Sequence, residues 1–395
     1  MELVAPGLTP SALKARVVAA AREAGAGAVA IASAEDDART RERFGAAIAR
    51  DDFATWPYDR QYAARASSPQ TVLPGAKSVV CIAIPYGTPT PPGRPVLSGR
   101  VSNYAWAADY HRSVRELLRR VAAAIDDAVG GPATRVICDT APLAERAFAE
   151  RAGLGWIGKH TNLIAPGLGS YVFLGEIVTT LELPPDAPSK KSCGSCSRCI
   201  DVCPTRALRG DYSIDATRCI ADLTQRSDAI PRELRALLGD WVWGCDLCQE
   251  ICPPTRRASP RVDRAFAPQS PRDAFPDLIA LLHLRSGQFK RRYRRSAMGW
   301  RGPTVLRRNA AVALGNALDR STVPALEASL SGDPSELVRG HVAWALGRIG
   351  SPQARRALAR QLERETSLGV REEIEAALGT EQPSDEVGAF NGRRS

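Results

Sequence analysis

No stretch of this 395-residue sequence is apolar over anything near the roughly 18–20 residues that a membrane helix needs, so none is expected. The N-terminus has no basic region running into an apolar core. It carries Glu2, Pro6 and Pro10 instead, which argues against a secretory signal and for a cytoplasmic protein. Lysine is scarce, and nearly all basic residues are arginine. Acidic residues are in deficit: 43 Asp and Glu face 53 Lys and Arg, a net charge of +10. That surplus invites an acidic partner such as nucleic acid. A GC-rich genome produces the same arginine, alanine and glycine bias without function, so charge alone leaves both origins open. Ten cysteines in a reducing compartment are not expected to form disulfides. With 44% hydrophobic and 24% charged residues the chain is globular, and its length suits about two to three domains.

The expected fold class is α+β, in three parts. Residues 1–185 read as an α/β domain. Thr9-Pro10 opens a capped amphipathic helix through Leu13, Val17 and Ala21 to Gly25. Ala28–Ile31, Ser78–Pro85 and Arg135–Cys138 are short apolar runs that predict buried strands, and Ser170–Leu183 predicts one long strand or a hairpin. Val114, Leu117, Leu118, Val121 and Ile125 recur at helical spacing and predict a helix over 110–125. A proline-rich linker then leads into residues 186–265, a ferredoxin-like domain with most of the cysteines. Residues 266–380 are helical and repetitive. Leu306-Arg307 through Leu314-Gly315, Val338-Arg339 through Leu346-Gly347 and Val370-Arg371 through Leu378-Gly379 share one pattern at a spacing of 32. Such a period predicts an α-solenoid of HEAT-like repeats, each helix pair covering its neighbour. Residues 381–395 lack periodicity and read as a disordered tail.

Cys193-x2-Cys196-x2-Cys199-x3-Cys203-Pro204 is the bacterial ferredoxin run. Cys245-x2-Cys248-x3-Cys252-Pro253 partly repeats it, with Cys219 between. Thiolates are soft ligands suited to iron–sulfur clusters. In two-cluster ferredoxins three closely spaced cysteines wrap one cube and the fourth serves the other. This assigns Cys193, Cys196, Cys199 and Cys252 to one [4Fe–4S] cluster and Cys203, Cys219, Cys245 and Cys248 to a second. Two four-cysteine zinc sites are the alternative, but zinc ribbons prefer separated CxxC pairs. Cys81 and Cys138 lie in apolar strands and read as core thiols.

Asp139 follows the strand ending at Cys138 and precedes a helix expected to carry Pro142 near its start. It is either a helix N-cap or a carboxyl group at the mouth of a strand, able to give a proton to a reduced substrate. The run Gly153-x-Gly155-x-x-Gly158-Lys159 looks like a phosphate loop. Its spacing, the Trp156 inside it and His160 after the lysine count against a nucleotide site.

Taken together, these segments resemble the epoxyqueuosine reductases, cobalamin- and iron–sulfur-dependent enzymes of tRNA modification. The matching runs are VLPGAKSVV, NYAWAADYH, DTAPLAERAFAERAGLGWIGKHTN, GSYVFLGEI, CGSCSRCIDVCPTRAL, RCIADLT, IPRELR, GCDLCQEICP and RRNAAVALG, in order over residues 60–350. The resemblance implies reduction of epoxyqueuosine to queuosine at the wobble position of tRNA, with electrons passing through the clusters to cobalamin. It implies that Asp139 is the proton donor, a role that calls for a pKa raised by burial. It places cobalamin against Ser102, Tyr104, Asp139, Asn162, Leu163, Leu174 and Ala221. Asp109-Tyr110-His111 begins like the usual Asp-x-His-x-x-Gly lower-ligand motif, but Val114 stands where the glycine should be. His111 is therefore expected to be a polar helix-start residue, and the cobalamin to be base-off.

Between Arg285 and Arg308 nine residues are basic and none acidic, with Phe289, Tyr293 and Trp300 interleaved. Basic groups neutralise phosphates and aromatics stack on unpaired bases, while a solvated helix face with its aromatics turned inward gives the same pattern. With the family resemblance, Lys290, Arg291, Arg292, Arg294, Arg295, Arg307 and Arg308 are expected to dock the tRNA anticodon stem-loop. A monomer served by an unidentified electron donor is expected. Asn103, Gln225 and Pro254 depart from the family pattern and bear on which substrate is used. The rival readings are a related corrinoid reductase of dehalogenase type and a non-catalytic electron carrier or RNA adaptor.

Overall fold

The computed structural model describes residues 9–259 and 263–379. The tail expected over 381–395 lies outside them. Helix α1 (Pro10–Glu23) starts where the Thr9 side chain accepts a hydrogen bond from the Ala12 N–H at 3.2 Å. Pro10 occupies its first turn, where a missing N–H costs nothing. Leu13, Val17 and Ala21 lie about one turn apart and form its buried face.

The first part is built on four strands: β1 (Ala28–Ser33), β2 (Ser78–Pro85), β3 (Thr134–Ile137) and β4 (Val172–Thr179), in the order β1-β2-β4-β3. Every neighbouring pair is antiparallel. This corrects the expected α/β domain. Parallel neighbours would need crossover helices, and here the layers are those of an α+β domain. The 170–183 segment forms one strand and no hairpin, because β4 is used on both sides: Thr179 faces Ser78 of β2 and Thr134 of β3. Helix α2 (Tyr110–Val129) packs on one face of the sheet through Val114, Leu118 and Val121. Helix α3 (Glu145–Arg151) packs on the other through Phe148 and Ala149. Cys81 and Cys138 are buried in these two layers, as core thiols should be.

The parts are interwoven. Arg100 and Val101 leave the first one to pair in parallel with Trp241 and Trp243. Val101, Ala105 and Trp106 then share a core with the C-terminal helices. Those helices are α4 (Pro303–Ala317), α5 (Val323–Gly332), α6 (Glu336–Ile349), α7 (Pro352–Leu362) and α8 (Leu368–Gly379). Leu306, Val338 and Val370, the equivalent positions of the repeat, are all buried. The repeated glycine marks the contact between successive units. A Cβ on Gly315 would lie 2.8 Å from the Ala345 Cα, and one on Gly347 would lie 2.7 Å from the Ala377 Cβ. The period is thus a packing period. No helix among the described residues is long and apolar enough to cross a membrane.

Candidate active site

All ten thiols are free. Eight lie between Cys193 and Cys252, and several of them act on one another electrostatically. Burial raises the Cys199 thiol to about 11, and Cys193, Cys252 and Cys196 add to the shift. Burial also raises Cys252, with Cys193 and Cys196 among its charged neighbours. In the set assigned to the second cluster burial again dominates. Cys219 is pushed up to about 11 with Cys203 nearby, Cys245 feels Cys219 and Cys248, and Cys248 feels Cys219 and Cys203. Cys248 also feels Cys199, so the two groups adjoin. These neighbours follow the spacing except at Cys248, which feels Cys199 ahead of Cys203. Buried thiols of this kind stay neutral unless a cation ionises them, and an all-sulfur set of four suits iron. The residues present fit two iron–sulfur clusters.

Beside Cys245 lies a cleft of about 250 Å³. Ser102, Tyr104, Asn162, Leu163, Leu174 and Ala221 all line it, although they come from separate stretches of chain. Tyr86, Arg146, Ser170 and Gln249 line it too and were not foreseen. Cys245 forms part of the wall, which brings the second thiol group to the cleft itself. Buried Asp246 fixes one side, accepting hydrogen bonds from the Ser102 hydroxyl and the Asn103 N–H, both at 2.6 Å. The Trp243 indole N–H donates to the Tyr104 hydroxyl at 2.9 Å. The opposite side is a hairpin, Trp156–Ile157 paired with Leu163–Ile164. Its glycines are there for close approach. A Cβ on Gly153 would meet the Ala187 carbonyl at 2.1 Å, and one on Gly155 the Ile164 carbonyl at 2.3 Å. Lys159 donates to the Gly194 carbonyl at 2.9 Å, tying the hairpin to the first cysteine loop. The glycine run is therefore a structural joint. Asn103, Gln225 and Pro254 are not on the cleft wall. Asn103 donates to the Thr88 carbonyl and Gln225 to that of Ala221.

Asp139 stands beside this cleft, not among the residues on its wall. Tyr104 links the two: its ring meets Tyr110 edge-on at 6.3 Å, and the Tyr110 hydroxyl donates to Asp139 Oδ2 at 2.9 Å. The backbone of Asp139 has φ +59°, in the left-handed region that non-glycine residues avoid. Its N–H donates to Glu145 Oε1 at 2.6 Å, which holds the loop in that shape. The N-cap alternative is excluded, because α3 begins only at Glu145, its cap is Ala144, and Pro142 precedes it in the loop.

The charge state of Asp139 also differs from expectation. His111 Nε2 lies 3.3 Å from its Oδ2. That hydrogen bond, helped by Tyr110, outweighs burial and holds the carboxyl below the usual aspartate range. His111 is pushed up to about 9 by Asp109 first and Asp139 second, which favours the proton on the imidazole at neutral pH. Asp109 Oδ1 sits 2.6 Å from His111 Nδ1. Behind the loop, burial pushes Glu145 up to about 7. Burial, reinforced by Glu145, raises the fully enclosed Glu176 well above the usual range. Asp139 is therefore lowered beside groups whose own values are raised.

Lys290, Arg291, Arg292, Arg294 and Arg295 are all exposed. Phe289 and Tyr293 are core residues and cannot stack on a base. Two of the arginines expected to bind RNA do not qualify. Arg308 is fully buried and donates to the carbonyls of Arg226, Leu223 and Asp228 at 2.8, 2.7 and 2.5 Å. Arg307 is paired with Asp333 at 2.8 Å, and Arg339 repeats the arrangement one unit later with Glu365 at 2.8 Å. These arginines tie the solenoid together.

Comparison with known proteins agrees with this architecture. The family model of epoxyqueuosine reductase QueG matches residues 66–140, that of the 4Fe-4S double cluster binding domain residues 192–255, and that of HEAT repeats residues 301–379. The chain is 40% identical over 352 residues to the epoxyqueuosine reductase of Xanthomonas campestris, covering 86% of this chain and 97% of that one. It is 42% identical over 301 residues to that of Pseudomonas aeruginosa, covering 74% and 82%. The crystal structure of an epoxyqueuosine reductase with an epoxyqueuosine-modified tRNA-Tyr stem loop superposes with a TM-score of 0.86 at 32% identity, over 93% of this chain and 98% of that one. A Bacillus subtilis epoxyqueuosine reductase whose catalytic aspartate loop is swung out of the active site gives 0.86 at 31% identity, over the same shares.

Proposed function

The chain belongs to the epoxyqueuosine reductase family, and we propose that it carries out that reaction with cobalamin in the cleft, two [4Fe–4S] clusters on the eight thiols, and Asp139 as proton donor. Its activity is the reduction of epoxyqueuosine to queuosine in tRNA. Cys193, Cys196, Cys199 and Cys252 hold one cluster; Cys203, Cys219, Cys245 and Cys248 hold the other. One juxtaposition supports this reading above all. Six residues from separate segments converge on a cleft whose wall includes Cys245, while Tyr104 and Tyr110 join the cleft to Asp139.

The reaction replaces an epoxide by an alkene, so one oxygen leaves as water and two electrons and two protons are consumed. Bound in the cleft, the corrin supplies the two-electron reduction, with the clusters feeding it. The residues of the chain manage the protons. Asp139 alone is ionised and has nothing to give. His111 lies 3.3 Å away and can pass one proton to Asp139 as the oxygen gains negative charge, and the second proton reaches the same pair from solvent once His111 has given up the first. Tyr110 fixes the carboxylate on its other side, and Glu145 keeps the backbone in its left-handed turn. The exposed cluster Lys290, Arg291, Arg292, Arg294 and Arg295 neutralises phosphates of the tRNA stem-loop and places the wobble nucleotide.

The test is an anaerobic assay of reconstituted protein with cobalamin and epoxyqueuosine-containing tRNA, the nucleosides being read by mass spectrometry. Loss of one oxygen that depends on cobalamin and reductant is expected. Asp139→Asn should keep cluster absorbance and cobalamin binding and lose turnover by about 10²–10⁴. Full turnover by that variant removes Asp139 from the role, and full turnover without cobalamin removes the corrin.

A further inference from the structure

Of the three aromatics in the basic segment Phe289 and Tyr293 are buried, while Trp300 stands open on the surface beside Trp56. Trp300 is 51% exposed and Trp56 is 37% exposed. Their rings lie 5.8 Å apart at 31°. The Arg301 guanidinium lies 3.9 Å over the Trp300 ring and 5.8 Å from that of Trp56. Indole rings normally bury most of their area, so two left open side by side with a guanidinium make an unfinished contact. We propose that Trp300 and Arg301, backed by Trp56, form a stacking platform for one unpaired nucleobase of the tRNA anticodon loop, next to the wobble nucleotide. This rests on the tRNA reading above and adds the place where a neighbouring base is gripped.

The position of the platform argues for that occupant. The Trp56 indole N–H donates to Asp222 at 3.0 Å, and Asp222 follows Ala221 on the cleft wall. Trp56 stacks on Tyr58 at 6.2 Å and 12°, and Tyr58 on Tyr62 at 4.3 Å and 30°. Both tyrosines feel the charge of Asp139, so this aromatic run reaches the catalytic loop. On its other side Trp300 closes the segment that carries the exposed arginines from Arg291 to Arg295. The platform thus follows the basic segment in the chain and adjoins the cleft through Asp222. A phosphate backbone following that path brings a base over the indole. The 285–308 segment contains no acidic residue, which favours a polyanion over an apolar protein partner. A base-paired nucleotide shows only its edge, whereas an unpaired base offers a face to both indole and guanidinium.

The test uses cluster- and cobalamin-loaded protein and modified stem-loops carrying a fluorescent adenine analogue at one loop position at a time. Wild-type protein should quench the probe at one position beside the wobble nucleotide. Trp300→Ala should abolish that quenching and weaken stem-loop binding roughly 5- to 150-fold, the usual effect of losing one base stack. Trp300→Phe should restore most of both, and affinity for a fully paired duplex of equal length should be unchanged. Unchanged stem-loop affinity and quenching in Trp300→Ala overturns the platform and leaves the tRNA reading standing. Equal loss for stem-loop and duplex also overturns it, because a base stack cannot act on paired bases. Failure of wild-type protein to prefer the stem-loop over the duplex overturns the tRNA reading itself.

Discussion

Replacing Asp109 by Asn should make the enzyme sensitive to pH in a range where the parent is not. Asp109 is the first cause of the raised His111 pKa, through a 2.6 Å contact with Nδ1. Its side chain also accepts from the His111 N–H at the start of α2, a cap that asparagine reproduces. The fold should therefore survive. With a pKa of about 9 His111 is almost fully protonated at pH 8. At the ordinary histidine value of about 6.5 it would be only about 3% protonated there, a loss of up to about 30-fold in the proton-bearing form. Asp139 still supports the charge, so the observed loss falls between unity and that ceiling. At pH 6 both proteins hold the proton and their rates should agree within about twofold. The sign is fixed by linkage. A raised histidine pKa gives a contribution that is complete below the unfolded value and lost as pH rises through the folded one. Stability should thus fall with rising pH across the same window. Single-turnover reduction of a modified stem-loop, measured from pH 6 to pH 9.5, reads the effect. A variant equally slow at pH 6 and pH 8, or one whose alkaline limb coincides with that of the parent, refutes the proton-holding role of His111.

Three further outcomes are expected. Arg308→Met should destabilise the protein by about 3–5 kcal/mol in denaturant titration, because it strands the carbonyls of Leu223, Arg226 and Asp228, while stem-loop affinity of the folded protein stays unchanged. Gly347→Ala should cost about 1–3 kcal/mol by overpacking against Ala377, whereas Gly379→Ala, with nothing within 4 Å, should leave the melting curve in place. Glu145→Ala should slow turnover by roughly 5- to 100-fold by freeing the Asp139 N–H; Glu145→Gln keeps an acceptor oxygen and should stay within about threefold of the parent.

What could be read from the sequence was whatever depends on local spacing. The two cysteine runs were legible because their ferredoxin spacing is local, and a double 4Fe-4S cluster domain matches residues 192–255. The 32-residue period was legible because a glycine recurs wherever two repeat helices touch. Strand direction was not legible. Ser78–Pro85 is equally apolar in a parallel or an antiparallel sheet, and only its pairing with Val172–Thr179 decides the matter. Arginine was ambiguous for a related reason. Arg291 and Arg308 are alike in a run of basic residues, yet one is open to solvent and the other satisfies carbonyls from the cluster region, roughly 80 residues earlier in the chain. Trp56 gave no signal at all, since its partner Trp300 lies in another part of the molecule.

The acid is the instructive case. The family resemblance put Asp139 forward as the acid, and burial next to a cofactor predicted a raised pKa. Burial does act in that direction, but His111 and Tyr110 act against it and prevail. An aspartate that must be protonated before it meets substrate would have to bury its neutral form in a site open enough to admit a tRNA loop, and its side chain is 60% exposed. Keeping the proton on a neighbouring imidazole removes that conflict. On the proposed reading the carboxylate stays ionised while the site is open, and receives the proton when substrate displaces water and negative charge develops on the epoxide oxygen. The two residues then work as one donor, so His111 should matter most where the bulk solution cannot supply protons, at alkaline pH.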